Sequence, residues 1–179
     1  SDDTFATLNT VSEPRGTIQL VATSSADYVG KNVSIRDATG YTWKLVYKDG
    51  AGDSGVSEPS GHFPVTENGV EGIVVQLNGG SAVNVFAAQT SVALQKINAI
   101  NASSASFGTG SMDGGNVITY LPLESSYAAG KLTFKQNYRH TEGSNSYFVD
   151  NTPITTNATS SQMTVSGFSG GQSAEYTRD

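Results

Sequence analysis

From Tyr41 to Lys48 the chain alternates large and polar side chains. Tyr41, Trp43, Leu45 and Tyr47 fall on one parity, and Thr42, Lys44, Val46 and Lys48 on the other. Period two over eight residues predicts a strand with its aromatics on one face and its lysines on the opposite one. Shorter runs of strand character occupy Thr17–Ala22, Asn32–Arg36 and Gly72–Leu77. Asp37-Ala38-Thr39-Gly40 reads as the turn before the Trp43 strand. Val117-Ile118, Leu132 with Phe134, and Met163 with Val165 mark three more short strands, each set off by Gly, Asn or Ser clusters. Val83-Asn84-Val85-Phe86 also reads as extended. One helix follows it, because Ala93, Leu94, Ile97 and Ile100 recur at helical spacing. Thr90 or Ser91 is its expected cap, since a hydroxyl there can accept an orphan N–H of the first turn.

Breakers divide this pattern. Glu13-Pro14-Arg15-Gly16 closes a polar opening segment, residues 49–69 are loop-like, and residues 108–115 are Gly-rich. Asn78-Gly79-Gly80-Ser81 is the strongest boundary signal. The expected organisation is an arm over residues 1–16, a β-rich domain over 17–80 and a second unit over 81–179. Many short strands, Gly-rich turns and one helix predict a mainly β protein: a sandwich, a barrel or a β-solenoid.

Composition narrows the function. The chain has 179 residues, of which 36% are hydrophobic and only 15% charged. Its surface is therefore dressed with Ser, Thr, Asn and Gly more than with charge. The absence of cysteine excludes a disulfide framework, a thiol nucleophile and a Cys-ligated metal. Ten Lys and Arg against sixteen Asp and Glu, a net charge of −6, argue against nucleic acid, which needs a cationic stripe. Apolar runs fall far short of the ~20 residues of a membrane span. No basic-then-apolar leader opens the chain, so any secretion signal is expected to have been removed or never to have existed.

Candidate chemistry is sparse. Asp49 and Asp53 flank Gly50 and Gly52, and Glu58 follows. A calcium loop offers oxygens at alternate positions, whereas this spacing is four with nothing acidic between, so a solvated turn is the expectation. Ser60-Gly61-His62 lies in a loop rather than at a strand-to-helix elbow. His62 and His140 are far apart in sequence and read as surface residues. No pair of the scattered carboxylates is singled out for glycosidase chemistry by spacing. The Gly-rich segments lack the Gly-Lys-Ser/Thr ending of a phosphate cradle. Asn32, Asn101 and Asn157 match the glycosylation acceptor pattern. Trp43, mid-strand, is expected in the core rather than as a sugar-stacking platform. The residues thus specify no catalytic, cofactor or metal site.

One order of features carries a resemblance. Val83-Asn84-Val85-Phe86, the helical segment 91–98, Gly114-Gly115-Asn116-Val117, Leu121-Pro122, the segment 127–134 and the segment 163–168 follow one another. This succession resembles the entry into a bacteriophage tailspike or pectate-lyase-like β-helix. The resemblance implies a small N-terminal β-domain, then a short capping helix, then the first turns of a right-handed parallel β-helix. The helix would cover the solenoid's open apolar end with Ala93, Leu94, Ile97 and Ile100. The chain departs from the family at Ala87-Ala88-Gln89-Thr90, where an acidic Gly-rich turn is usual, and at residues 123–127, where the pattern calls for Gly-x-Tyr.

By that resemblance the chain is a structural virion component. It would attach a receptor-binding or depolymerase module to the phage particle, as a homotrimer, with other virion proteins and a host surface polysaccharide as partners. Two alternatives stand beside it. A chaperone–usher pilus subunit of Ig-like sandwich build would use residues 1–11 as a donated strand, although some 45 residues follow Phe134. A carbohydrate-binding β-module would use Trp43 or tyrosines for stacking.

Overall fold

The computed structural model describes residues 5–8, 12–37, 42–50, 56–57, 70–103, 118–121, 129–136, 140–142, 145–147, 151–172 and 176–178. Side chains are described for residues 12–37, 42–50, 72–97, 129–136 and 151–172. In chain order the strands are β1 (Phe5–Leu8), β2 (Arg15–Leu20), β3 (Asn32–Arg36), β4 (Thr42–Lys48), β5 (Val56–Ser57), β6 (Val70–Glu71) and β7 (Ile73–Gln76), then β8 (Ile118–Leu121), β9 (Lys131–Gln136), β10 (His140–Glu142), β11 (Asn145–Tyr147), β12 (Ile154–Thr156), β13 (Met163–Ser169) and β14 (Tyr176–Arg178). A 3-10 turn spans Ser25–Tyr28, and one helix, α1, spans Val83–Ser103.

Two four-stranded sheets form the body, in the orders β12-β3-β4-β7 and β13-β2-β9-β8. Each takes strands from both sides of Gly79-Gly80. The second sheet is antiparallel throughout; in the first only β4 and β7 run parallel. The alternation of β2, β3, β4 and β9 is real: Ile18, Leu20, Val33, Ile35, Trp43, Leu45, Tyr47, Leu132 and Phe134 are buried, and the intervening residues point outward. Both sheets direct these side chains into a single core.

The sheets meet along β12 and β13. There the Phe168 N–H donates to the Thr152 carbonyl at 2.8 Å. A bulge in β13 places three residue steps, Ser166 to Ser169, against the two from Thr17 to Arg15. The extra residue turns Phe168 inward, where its ring meets Phe134 edge-on at 5.5 Å. The opposite margins, β7 and β8, both pack against α1, which also touches β2 and β9. Phe86, Ala87, Ala93, Leu94 and Ile97 are the buried face of that helix.

The described residues are thus mainly β, with two four-stranded sheets, three two-stranded pairs (β1-β14, β5-β6 and β10-β11), one α-helix and no closed barrel. The described residues show no β-helix. Residues 127–134 and 163–168 were expected as a solenoid strand and rung; the strands found there, β9 and β13, instead flank β2 on either side, both antiparallel to it. Val83–Phe86, expected as a strand, is the first turn of α1. Gly80 precedes it, and the Val85 and Phe86 N–H groups both turn back to the Ala82 carbonyl. Helical winding puts Phe86 on the same buried side as Thr90, Ala93 and Ile97. Thr90 and Ser91 are not caps but lie inside the helix, and their hydroxyls donate to the Phe86 and Ala88 carbonyls. Ile100 lies in α1, with its side chain outside the described set.

The arm pairs within its own chain. β1 runs antiparallel to β14, and Ser12 and Gln172 exchange backbone hydrogen bonds below them.

Candidate functional site

Among the described residues, buried hydroxyl groups gather where α1 and the 3-10 turn meet β4. Tyr28 is fully buried, its ring edge-on to Phe86 at 5.2 Å and tilted against Tyr47 at 5.7 Å. The Tyr28 hydroxyl lies between the Ala22 carbonyl at 2.7 Å and the Gln162 carbonyl at 3.1 Å. The Tyr47 hydroxyl is 2.8 Å from Thr90 Oγ1, which donates on to the Phe86 carbonyl. This order requires Tyr47 to donate and Thr90 to relay, so both hydroxyls are satisfied without water.

Burial pushes the Tyr28 phenol up to about 12, against hydrogen bonds to Val21 and Ala22 that lower it. Burial pushes Tyr47 up further, opposed by its bond to Thr90. Both phenols therefore stay neutral through the physiological range.

Two carboxylates are built into the body. Asp37, buried at the end of β3, accepts the Trp43 indole N–H at 2.8 Å. Trp43 itself is 1% exposed and offers no face to a sugar ring. Asp49 accepts the Ser25 hydroxyl and, at 3.1 Å, the Gly79 N–H. It ties the 3-10 turn to the Leu77–Gly80 turn that leads into α1. That turn has positive φ at Asn78 (51°) and Gly79 (68°) and closes with Gly80 N–H to the Leu77 carbonyl at 3.1 Å.

The other sequence candidates divide in the same way. Asp53, Glu58, Ser60 and His62 lie outside the described residues. His140 and Asn101 lie on β10 and α1, with side chains outside the described set. Asn157 accepts the Asn32 N–H at 2.9 Å and donates to the Gly30 carbonyl at 3.1 Å, so it clamps β3 to the turn after β12. Among the described residues no group of three or more His, Asp and Glu is placed to hold a metal ion.

Tyr28, Asp37 and Gln162 are the polar residues that sequence reasoning missed. Gln162 donates to the Asp27 carbonyl at 2.9 Å and accepts the Thr159 N–H at 3.0 Å. All three lie outside the periodic runs. Tyr28 alone carried a signal, as a large aromatic inside a polar segment.

The outer faces of the sheets carry a different pattern. The four central strands hold six cations: Arg15 on β2, Arg36 on β3, Lys44 and Lys48 on β4, and Lys131 and Lys135 on β9. The edge strands β7, β8, β12 and β13 hold no charge at all, and none of the sixteen carboxylates lies in any of the eight strands. Lys135 pairs with Glu13 at 3.2 Å.

Comparison with family models, with curated proteins and with solved structures returns no match.

Proposed function

We propose that this chain is a structural component of a virion, of the tailspike or tail-fibre kind, which attaches a receptor-binding module to the particle as a homotrimer. One observation carries the non-catalytic part of this reading. The side chains best equipped for chemistry are engaged as ties between segments remote in sequence. Asp49 joins Ser25 to Gly79, Asn157 joins Gly30 to Asn32, and Gln162 joins Asp27 to the β13 approach. The Tyr47–Thr90 bond joins β4 to α1. Such a network makes a rigid unit, which suits a part that transmits load within an assembly. The reading rests on the β-rich body and its helical plug serving as the anchoring unit and needs no solenoid among the described residues. The pilus alternative requires residues 1–11 to be donated to another subunit, whereas β1 is paired with β14 of the same chain.

The test is peptide mass spectrometry and antibody labelling of purified particles from the virus that encodes the chain. The expected result is stoichiometric incorporation, with label at the tail. Its absence from purified particles overturns the reading.

A further inference from the structure

Asn78-Gly79 is a pair with covalent reactivity of its own. In an Asn-Gly sequence the glycine amide nitrogen can attack the asparagine side-chain carbonyl carbon, and glycine, lacking a Cβ, crowds that approach least. The pair is accessible here. Asn78 and Gly79 are both exposed, and nothing lies within 4 Å of where a Cβ at Gly79 would sit.

The fold holds this pair in an unreactive shape. Positive φ at Asn78 (51°) and Gly79 (68°), with the Gly80 N–H on the Leu77 carbonyl, makes a type I′ turn. In that turn ψ at the first central residue is about +30°. The glycine nitrogen then lies nearly opposite the asparagine Cβ about the Cα–C bond, whereas ring closure needs the two nearly eclipsed. A second lock acts on the nucleophile itself. The Gly79 N–H donates to Asp49 Oδ1 at 3.1 Å, and a neighbouring carboxylate disfavours the amide anion that attacks. Asp49 is held in turn by the Ser25 hydroxyl, and the Ser25 N–H donates to the Gly80 carbonyl at 3.2 Å. Reaction therefore requires the turn to leave Asp49.

We propose that Asn78-Gly79 is a latent self-modification site, closed by Asp49 and able to react only when the Leu77–Gly80 turn opens locally. On opening, the Gly79 N–H gives its proton to hydroxide and the nitrogen bonds to Asn78 Cγ. The bond from Cγ to the side-chain nitrogen breaks, and ammonia leaves carrying a proton returned by water. Water then opens the five-membered imide at either carbonyl, leaving aspartate or isoaspartate. Both products place a new carboxylate one residue from the N–H that Asp49 holds, and isoaspartate also adds a methylene to the backbone of the turn. Repulsion between the two carboxylates opposes reclosure. The turn joins β7 to α1, so the reaction is a one-way loosening of that junction.

The test is peptide mass spectrometry of the full chain aged in mildly alkaline buffer, with deamidation at Asn78 scored in the folded protein and in guanidinium chloride. Fragmentation separates Asn78 from the second Asn-Gly pair, Asn68-Gly69, whose rate in denaturant gives the reactivity of an unconstrained pair in the same chain. Asn78 is expected to react at that rate when unfolded and at least about tenfold more slowly when folded. In the folded protein Asp49→Ala should raise the Asn78 rate at least about fivefold. Ser25→Ala, which spares the Gly79 bond, should raise it less. Phe168→Leu, in the core at the margin opposite α1, should leave it near the wild-type value. Circular dichroism checks that each variant is folded. Equal folded and unfolded rates in the wild type overturn the proposal, and that comparison needs no variant. An Asp49→Ala rate equal to wild type overturns it as well. So does acceleration in Phe168→Leu that matches Asp49→Ala, because the reaction would then follow global unfolding rather than the turn. Deamidated wild type, separated by its added charge on anion exchange, should unfold at lower denaturant than unreacted protein, and an equal midpoint overturns the one-way loosening.

Discussion

Gly130 and Gly79 both have positive φ, 72° and 68°, yet their surroundings differ. A Cβ at Gly130 would lie 2.7 Å from the Leu20 carbonyl oxygen and 2.8 Å from Val83 Cβ, where the β9 entry meets β2 and α1. At Gly79 nothing lies within 4 Å. Gly130→Ala is expected to cost about 3 kcal/mol, from left-handed strain plus overlap with backbone, and Gly79→Ala only about 1 kcal/mol. Urea unfolding of the two variants measures the difference. Asp49 supports a second comparison. Asp49→Ala removes the acceptor for both Ser25 and Gly79 and should cost about 1–3 kcal/mol, whereas Asp49→Asn keeps an acceptor oxygen and should lose less. Gly79 stood in the strongest boundary signal of the sequence, whereas the role of Asp49 was not visible there. Asp49, with Asp53, read as part of a solvated turn, because spacing along the chain does not reveal a partner 24 or 30 positions away.

At the scale of elements, α1 shows what periodicity conveys and what it conceals. The stripe Ala93, Leu94 and Ile97 was legible and is buried. The first two turns were not, since Val83-Asn84-Val85-Phe86 has the β-branched and aromatic composition of a strand. Packing against β7 and β8 decides the matter, with Phe86 seated on Tyr28 and Thr90 bonded to Tyr47. Leu94→Ala or Ile97→Ala should therefore destabilise by about 2–5 kcal/mol. Val92→Ser, at a position 50% exposed, should change stability by no more than about 0.5 kcal/mol. Thermal melts followed by far-ultraviolet circular dichroism separate the two. The β13 bulge was equally hidden. Gly167 admits the Thr152–Ile154 backbone at 3.1–3.3 Å from where a Cβ would sit, a close approach set by the opposite sheet rather than by any local signal.

The whole molecule is one core shared by two sheets and a helix, and its stability has a calculable response to alkali. Tyr28 is raised from near 10 to about 12, and Tyr47 is raised further. A folded pKa above the unfolded one gives stability that is complete below the unfolded value. It is lost as pH rises toward the folded one, because the unfolded state releases its phenolic protons first. Unfolding free energy should thus hold steady up to about pH 10 and fall between there and about pH 12. Phenolate absorbance for these two residues should appear together with loss of secondary structure rather than before it. Tyr47→Phe should reduce the alkaline slope while costing about 1 kcal/mol or less at neutral pH, since Thr90 keeps its bond to the Phe86 carbonyl. Ionisation of both phenols in a chain that remains folded would contradict the burial argument.

Local alternation was enough to place β3, β4 and the inward face of β9, because a strand's two faces are written two residues apart. Composition was enough to exclude thiol chemistry, and the Trp43 strand announced its own burial. Pairing was decided in three dimensions. That β2 lies between β9 and β13, that β4 takes β7 in parallel, and that α1 lies across the margin between β7 and β8 all depend on contacts between residues distant along the chain. The polar ties follow the same rule. Asp37, Asp49, Tyr28 and Asn157 acquire their partners only when remote backbone arrives beside them, since the need of a buried polar group for a partner is local but the partner itself is not.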